Sequence, residues 1–196
     1  MKQSIKSQET KSRIFQAAKS ILQERGYDEL SIKHICEVAG VSNGSFYHHF
    51  KSKEDLLSYY IEEQPDMDYI HKQIGCTSDL IEQICLIYDH YVLYCLELGV
   101  EFLSAYYNPK NQALNHEKRT LRAYPILTVE HMLEEATQSN PIHVKIAIQD
   151  VITDIRMIVI GNVFEWCVTE GTADFRTNMR RSLHTYLSGV LVDVMS

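Results

Sequence analysis

Between Ser31 and Lys53 the chain reads SIKHICEVAGVSNGSFYHHFKSK. Small polar side chains and lysines fall there where they can meet a phosphate backbone and the edges of bases. Ser31 and Lys33 stand at the start of one short helix, where free backbone N–H groups favour anions. Ser42, Asn43, Ser45, Tyr47 and His48 point outward from a second short helix. Gly44 has no side chain, so the backbone there can approach a partner closely. Asn43 carries the amide that pairs bidentately with adenine. Lys51 and Lys53 follow directly, within reach of phosphates. Serine caps occur in any helical protein, and Tyr47 and His48 can serve as half-buried packing. The combination, not any single residue, points to duplex DNA as partner.

Other chemistry is thin. There is no GxSxG, no glycine loop for phosphate and no HExxH, so no catalysis and no cofactor are expected. Asp66, Asp68 and His71 have metal-ligand chemistry, but a solvated acidic turn accounts for them, and no metal is expected. Five scattered cysteines form no CxxC pair, which fits reduced thiols in the cytoplasm. The polar start MKQSIKSQETKSR lacks the apolar core of a secretory signal. No apolar run reaches the roughly 20 residues that cross a bilayer, so no membrane partner is expected.

The elements that must position these groups read as almost all helix. Only four prolines and eight glycines occur. A first helix from about Gln8 to Arg25 carries Ile14, Ala17, Ala18, Ile21 and Leu22 on one apolar stripe, with Gly26 after its end. Ser31 caps the second helix, Gly40 makes a turn, and Ser42 caps the third, which Val41, Phe46 and Phe50 hold inward. Ser52 with Asp55 opens a fourth. Residues 65–76 are a linker or a broken helix. Helices are expected over about 78–98, 101–107 and 119–138, then Pro141–Glu170 and Ala173–Met195.

Net charge is −7, but it is unevenly placed. Residues 1–53 hold nine Lys/Arg against five Asp/Glu, a balance of +4. Residues 54–196 hold ten against twenty-one, a balance of −11. A basic module joined to an acidic body fits an all-α, two-part chain: a three-helix helix-turn-helix domain over 1–53 and a larger helical domain over 54–196.

Aromatic residues are dense between positions 88 and 132, and polar residues interrupt the apolar helices. A mostly apolar cavity with a few polar groups is expected there, with Tyr91, Tyr94, Phe102, Tyr106, Arg122, Tyr124, His131, Asn162 and Trp166 as its candidates. Ordinary core packing is the competing use of each of these side chains. On the last helix Phe175, Met179, Leu183, Tyr186 and Val190 recur at spacings of four and three, widened by Leu187. With Phe164 they are candidates for pairing two subunits through a four-helix interface. An intrachain core would use the same stripe.

Residues 10–57 resemble the DNA-binding segment of the TetR family of bacterial transcription regulators. The likeness rests on Ile14 and Ala17-Ala18, Gly26-Tyr27, Ser31-Ile32 with Ile35, Ala39-Gly40-Val41-Ser42, Gly44 through Phe50, and Lys53-Glu54-Asp55-Leu56-Leu57. Cys36 stands where the family commonly has a small residue. Trp166, Gly171 and Asp174 are similar to the junction before the family's dimer helix. The resemblance implies a homodimer that binds a palindromic double-stranded operator and is released by a small-molecule effector. A helical protein-binding adaptor and a small helical enzyme are the alternatives from other classes.

Overall fold

The computed structural model describes residues 2–62, 67–108, 124–138 and 142–193. They contain ten α-helices and one two-stranded ribbon. The chain divides into two compact units, residues 1–61 with 98–117 and residues 62–97 with 118–196. This division by packing differs from the single boundary after residue 53 that charge implies.

In the first unit, α1 (Lys2–Arg25) packs on α2 (Ile32–Ala39) and on α7 (Val100–Tyr106). Its stripe of Ile14, Ala17, Ala18, Ile21 and Leu22 is buried, none more than 4% exposed. α3 (Asn43–His49) and α4 (Lys53–Glu62) complete the head. α7 belongs here because Phe102 meets the edge of Phe15 on α1, with ring centroids 5.5 Å apart. Burying two aromatic rings together outweighs the sequence distance between them.

In the second unit, α5 (Met67–Ile74) lies in the stretch read as linker or broken helix. α6 (Leu80–Leu98) follows; Asp79 starts it by accepting the backbone N–H of Ile81 at 2.9 Å. α8 (Tyr124–Gln138) and α10 (Phe175–Val190) both pack on α9 (Ile148–Val168). β1 (Ile142–Val144) and β2 (Leu191–Asp193) pair antiparallel, with His143 opposite Val192. Both strands replace helix expected from sequence. Ile142-His143-Val144 alternates and carries β-branched residues, and the partner strand lies far along the chain.

Trp166 and Phe175 stack at 5.2 Å between α9 and α10. Gly171 (φ 81°) sits in the turn between them and donates to the Trp166 carbonyl at 2.9 Å. Asp174 then caps α10 through the Thr177 N–H, and that hydrogen bond holds its carboxyl below the usual carboxylate range. Arg180 on α10 donates to Asp89 on α6 at 2.6 Å and also pairs with Glu82. Asp89 is only 8% exposed, so this cation answers a charge with little access to water.

Candidate nucleic-acid interface

The turn between α2 and α3 is closed locally. Ser31 takes extended backbone and its Oγ accepts the His34 N–H at 3.2 Å. At the other end of α2, Gly40 adopts a left-handed conformation (φ 64°, ψ 39°). The Gly40 N–H donates to Glu37 and the Val41 N–H to Cys36, a Schellman closure that needs φ above zero. Ser42 Oγ accepts the Ser45 N–H at 3.1 Å and starts α3.

α3 is anchored by its apolar side alone. Phe46 and Phe50 are 0% and 2% exposed, their rings 5.7 Å apart. The opposite side stands free: Ser42, Asn43, Gly44 and His48 are exposed, Ser45 is half-buried, and Tyr47 keeps 57% of its surface. A Cβ placed on Gly44 would meet nothing closer than Ser42 Oγ at 3.8 Å. Nothing in the free protein therefore requires glycine there. A close partner would.

The cations differ in how free they are. Lys33 is exposed and only loosely paired with Glu37 at 3.9 Å, an exposed contact worth little. Lys51 is exposed, and its backbone N–H donates to Asp55 at 2.9 Å. Lys53 is engaged: its ammonium donates to the Leu30 carbonyl at 3.0 Å and lies 4.2 Å over the Tyr27 ring. Burial and the neighbouring Glu54, which also accepts from its hydroxyl, raise the Tyr27 phenol above its ordinary pKa. The structure thus gathers Ser31, Lys33, Ser42–Ser45, Tyr47, His48, Lys51 and Lys53 on one helix-turn-helix and its flank.

The residues expected to bind a ligand are not gathered in this way. Phe102 and Tyr106 are buried in the first unit. Tyr91 and Tyr94 are half-buried on α6, and Trp166 is spent on Phe175. The Asn162 amide donates to the Ile158 carbonyl of its own helix at 2.8 Å. His131 is exposed on α8, beside Glu135 at 3.4 Å. Arg122 and the Tyr124 side chain lie outside the described residues. A cavity of about 660 Å³ does exist in the second unit. Leu80, Ile81, Met132, Ile142, Leu191 and Val192 supply its apolar wall, with Ser78, Asp79, Gln83 and Glu135 as polar groups. None of the nine candidates is among its described lining. Its strand residues belong to a ribbon that helical periodicity does not reveal. A second feature unmarked in the sequence is the Tyr88 hydroxyl, fully buried with no hydrogen-bond partner among the described residues.

The candidates for subunit pairing divide as well. Phe175, Met179, Leu183 and Leu187 fill the core of the second unit, each 3% exposed or less. They correct the expectation that this stripe faces a second subunit. A helical stripe marks a face that must be buried, without saying by what. Tyr186 and Val190 are half-buried, and the Tyr186 hydroxyl donates to Asp154 at 2.7 Å. Phe164 is 61% exposed, between Met157 at 59% and Val168 at 60%.

Among the described residues no three metal-binding side chains gather, and no helix is long and apolar enough to cross a membrane. Asp66 and the side chains of Asp68 and His71 lie outside those described. No disulfide joins any of the five cysteines. Burial pushes the Cys85 thiol up to about 11 and the Cys95 thiol to about 12, far from reactive thiolates.

Comparison with known proteins shows what the head is similar to. Residues 14–60 match the family model described as "Bacterial regulatory proteins, tetR family". The HTH-type transcriptional regulator UidR of Escherichia coli (strain K12) is 44% identical over 55 residues, 28% of this chain and 28% of UidR. The HTH-type transcriptional regulator SAR2658 of Staphylococcus aureus (strain MRSA252) is 31% identical over 119 residues, 55% of this chain and 64% of that protein. The chain thus spans about a quarter of the length of UidR and under two thirds of SAR2658. The transcriptional regulator FadR from Bacillus subtilis, solved with stearoyl-CoA, aligns over 90% of this chain and 96% of its own, with TM-score 0.69 and 21% identity. Thermus thermophilus FadR, solved with lauroyl-CoA, aligns over 93% and 95%, with TM-score 0.65 and 16% identity. At these identities the likeness establishes a shared fold.

Proposed function

Because residues 14–60 match the model of the tetR family of bacterial regulatory proteins and resemble a stretch of an HTH-type transcriptional regulator, we propose that the chain is a ligand-responsive transcriptional repressor. It acts in the cytoplasm as a homodimer on a palindromic operator. The observation that carries this reading is the division of α3: Phe46 and Phe50 lock it from beneath, while Asn43, Gly44, Tyr47 and His48 stand exposed above. A short helix held only by its apolar side is built to enter a major groove. Asn43 reads a base edge there. Gly44 lets the backbone close in, and Lys33 and Lys51 neutralise phosphates.

Pairing of two chains is supported by Met157, Phe164 and Val168, at i, i+7 and i+11 along α9. Three large apolar side chains left about 60% exposed on one helix face are a surface that water disfavours. Two heads then address half-sites one helical turn apart, about 34–36 Å. An effector that changes this spacing by a few ångströms disengages one head.

The 660 Å³ cavity in the second unit is the effector site in this reading. Its described polar groups include two carboxylates, Asp79 and Glu135, and no lysine or arginine. It suits an apolar or cationic organic group better than a polyphosphate. Because two proteins of this fold were solved with acyl-CoA thioesters, stearoyl-CoA and a long-chain alkylamine form the decisive pair of probes.

The test is titration of a palindromic duplex taken from DNA beside the protein's own gene. Salt-dependent, saturable binding that an added effector reverses is the expected result. A monomer indifferent to every duplex at low salt, yet held in a stable protein complex, would instead identify an adaptor.

A further inference from the structure

Most of the positive charge of the head lies outside its core. From Lys6 onward, Ile14 is the first buried residue of α1, yet the helix begins at Lys2. The twelve preceding residues, KQSIKSQETKSR, extend for about 18 Å at 1.5 Å per residue. From Lys6 to Arg13 none is buried. This segment holds four Lys/Arg and one Glu, a balance of +3 out of the +4 carried by residues 1–53.

A helix that is polar nearly all round has no core to stabilise it and is marginal alone. Its first turn contains no acidic residue and starts with a lysine, so its dipole and side chains repel each other. Both defects become assets beside an anion. Lys6 and Arg13, both exposed, fall at i and i+7, on one face of the helix.

The root of this segment stands next to the recognition helix. Lys11 lies 4.3 Å over the Tyr59 ring, and Tyr59 touches Phe50 at 5.6 Å, just after α3. The His49 imidazole, last in α3, is depressed by burial, by His48 and by the charge of Lys11.

We propose that residues 2–13 are a phosphate-gripping arm that lies along the duplex flanking each half-site and lengthens the bound DNA beyond the reach of α3. At 3.4 Å per base pair the arm spans about five base pairs. The proposal rests on the DNA-binding reading above.

The experiment uses the full-length protein and a duplex that it selects from randomised DNA. Two versions are compared, one ending at the outer edges of the half-sites and one extended by about five base pairs or more on each side. The wild-type protein binds the extended duplex more tightly and with a steeper salt dependence. The variant Lys2→Gln/Lys6→Gln/Arg13→Gln keeps helix-forming residues. It retains the short duplex but loses the gain from the flanks, and its slope of log K against log salt falls by about two to three per protomer. An unchanged flank gain in this variant overturns the arm while leaving DNA recognition intact. Tighter binding by the variant also overturns it, because the arm then serves the acidic part of the chain. Failure of the wild type to select any duplex removes the functional reading itself.

Discussion

Lys53 at the start of α4 donates to the carbonyl of Leu30, just before α2, across 3.0 Å. The Tyr27 ring covers the same ammonium at 4.2 Å, and the Tyr27 hydroxyl reaches Glu54 at 3.5 Å. This clasp fixes where α2 begins, and therefore where Ser31 and Lys33 stand. One of the ammonium's three donors is used, leaving two for phosphate.

Replacing Lys53 should therefore do two things at once. Lys53→Ala is expected to cost about 1–2 kcal/mol of stability, from one charged hydrogen bond and one cation–π contact. It should also weaken binding to all duplexes and lower the salt slope by about one. Lys51→Ala should lower the slope with no loss in denaturant midpoint. Urea unfolding beside duplex titration separates the two; equal stability effects would remove the clasp from this account.

Gly44 separates folding from binding. Its added Cβ has room, so Gly44→Ala should stabilise the helix, by up to about 0.5–1 kcal/mol. Duplex affinity should fall at least tenfold, because the methyl group occupies the space of close approach. A variant that melts higher and still binds normally would show that α3 does not dock there.

Arg180 answers the nearly buried Asp89. Arg180→Leu should destabilise the chain by about 3 kcal/mol, since it strands a buried carboxylate. Adding Asp89→Leu should recover most of that loss. Arg176, 3.6 Å from Asp89, keeps the single variant from losing more. A thermal melt of the two variants is sufficient.

Tyr88 buries a hydroxyl with no protein partner among the described residues. Tyr88→Phe should leave the ligand-free protein as stable, or more stable by about 1 kcal/mol. A loss of effector-induced stabilisation in the same variant would mark the hydroxyl as a ligand contact. A clear drop in ligand-free stability contradicts the orphan assignment.

His49 sets a pH dependence. Its folded pKa lies below the ordinary value near 6.5, first because of burial, then because of His48 and Lys11. The unfolded chain thus binds a proton more readily in the window beneath 6.5, and stability must fall as pH drops through it. His49→Gln should flatten that slope in chemical denaturation between neutral and mildly acidic pH.

The head was legible because its signals are local. Serine caps, the turn glycine and the pair Phe46 and Phe50 each act within a few residues, and the structure uses each as its chemistry dictates. The body was less legible because its decisions are long-range. Ile142–Val144 looks like the start of a helix until Leu191–Asp193 is beside it. Phe102 sits in an aromatic-rich stretch but packs on Phe15, and Met179 and Leu183 fill their own unit. Periodicity identifies a buried face; the identity of its cover depends on residues far along the chain.

The ribbon that joins Val144 to Leu191 closes a ring of about fifty residues around α9 and α10. So short a ladder cannot hold its ends together unaided; both helices must already be in place. It therefore forms late and releases early. Amide exchange at His143 and Val192 should follow the integrity of the α9–α10 pair, making these two positions a natural strain gauge for anything that loosens the exposed apolar face of α9 or the cavity wall.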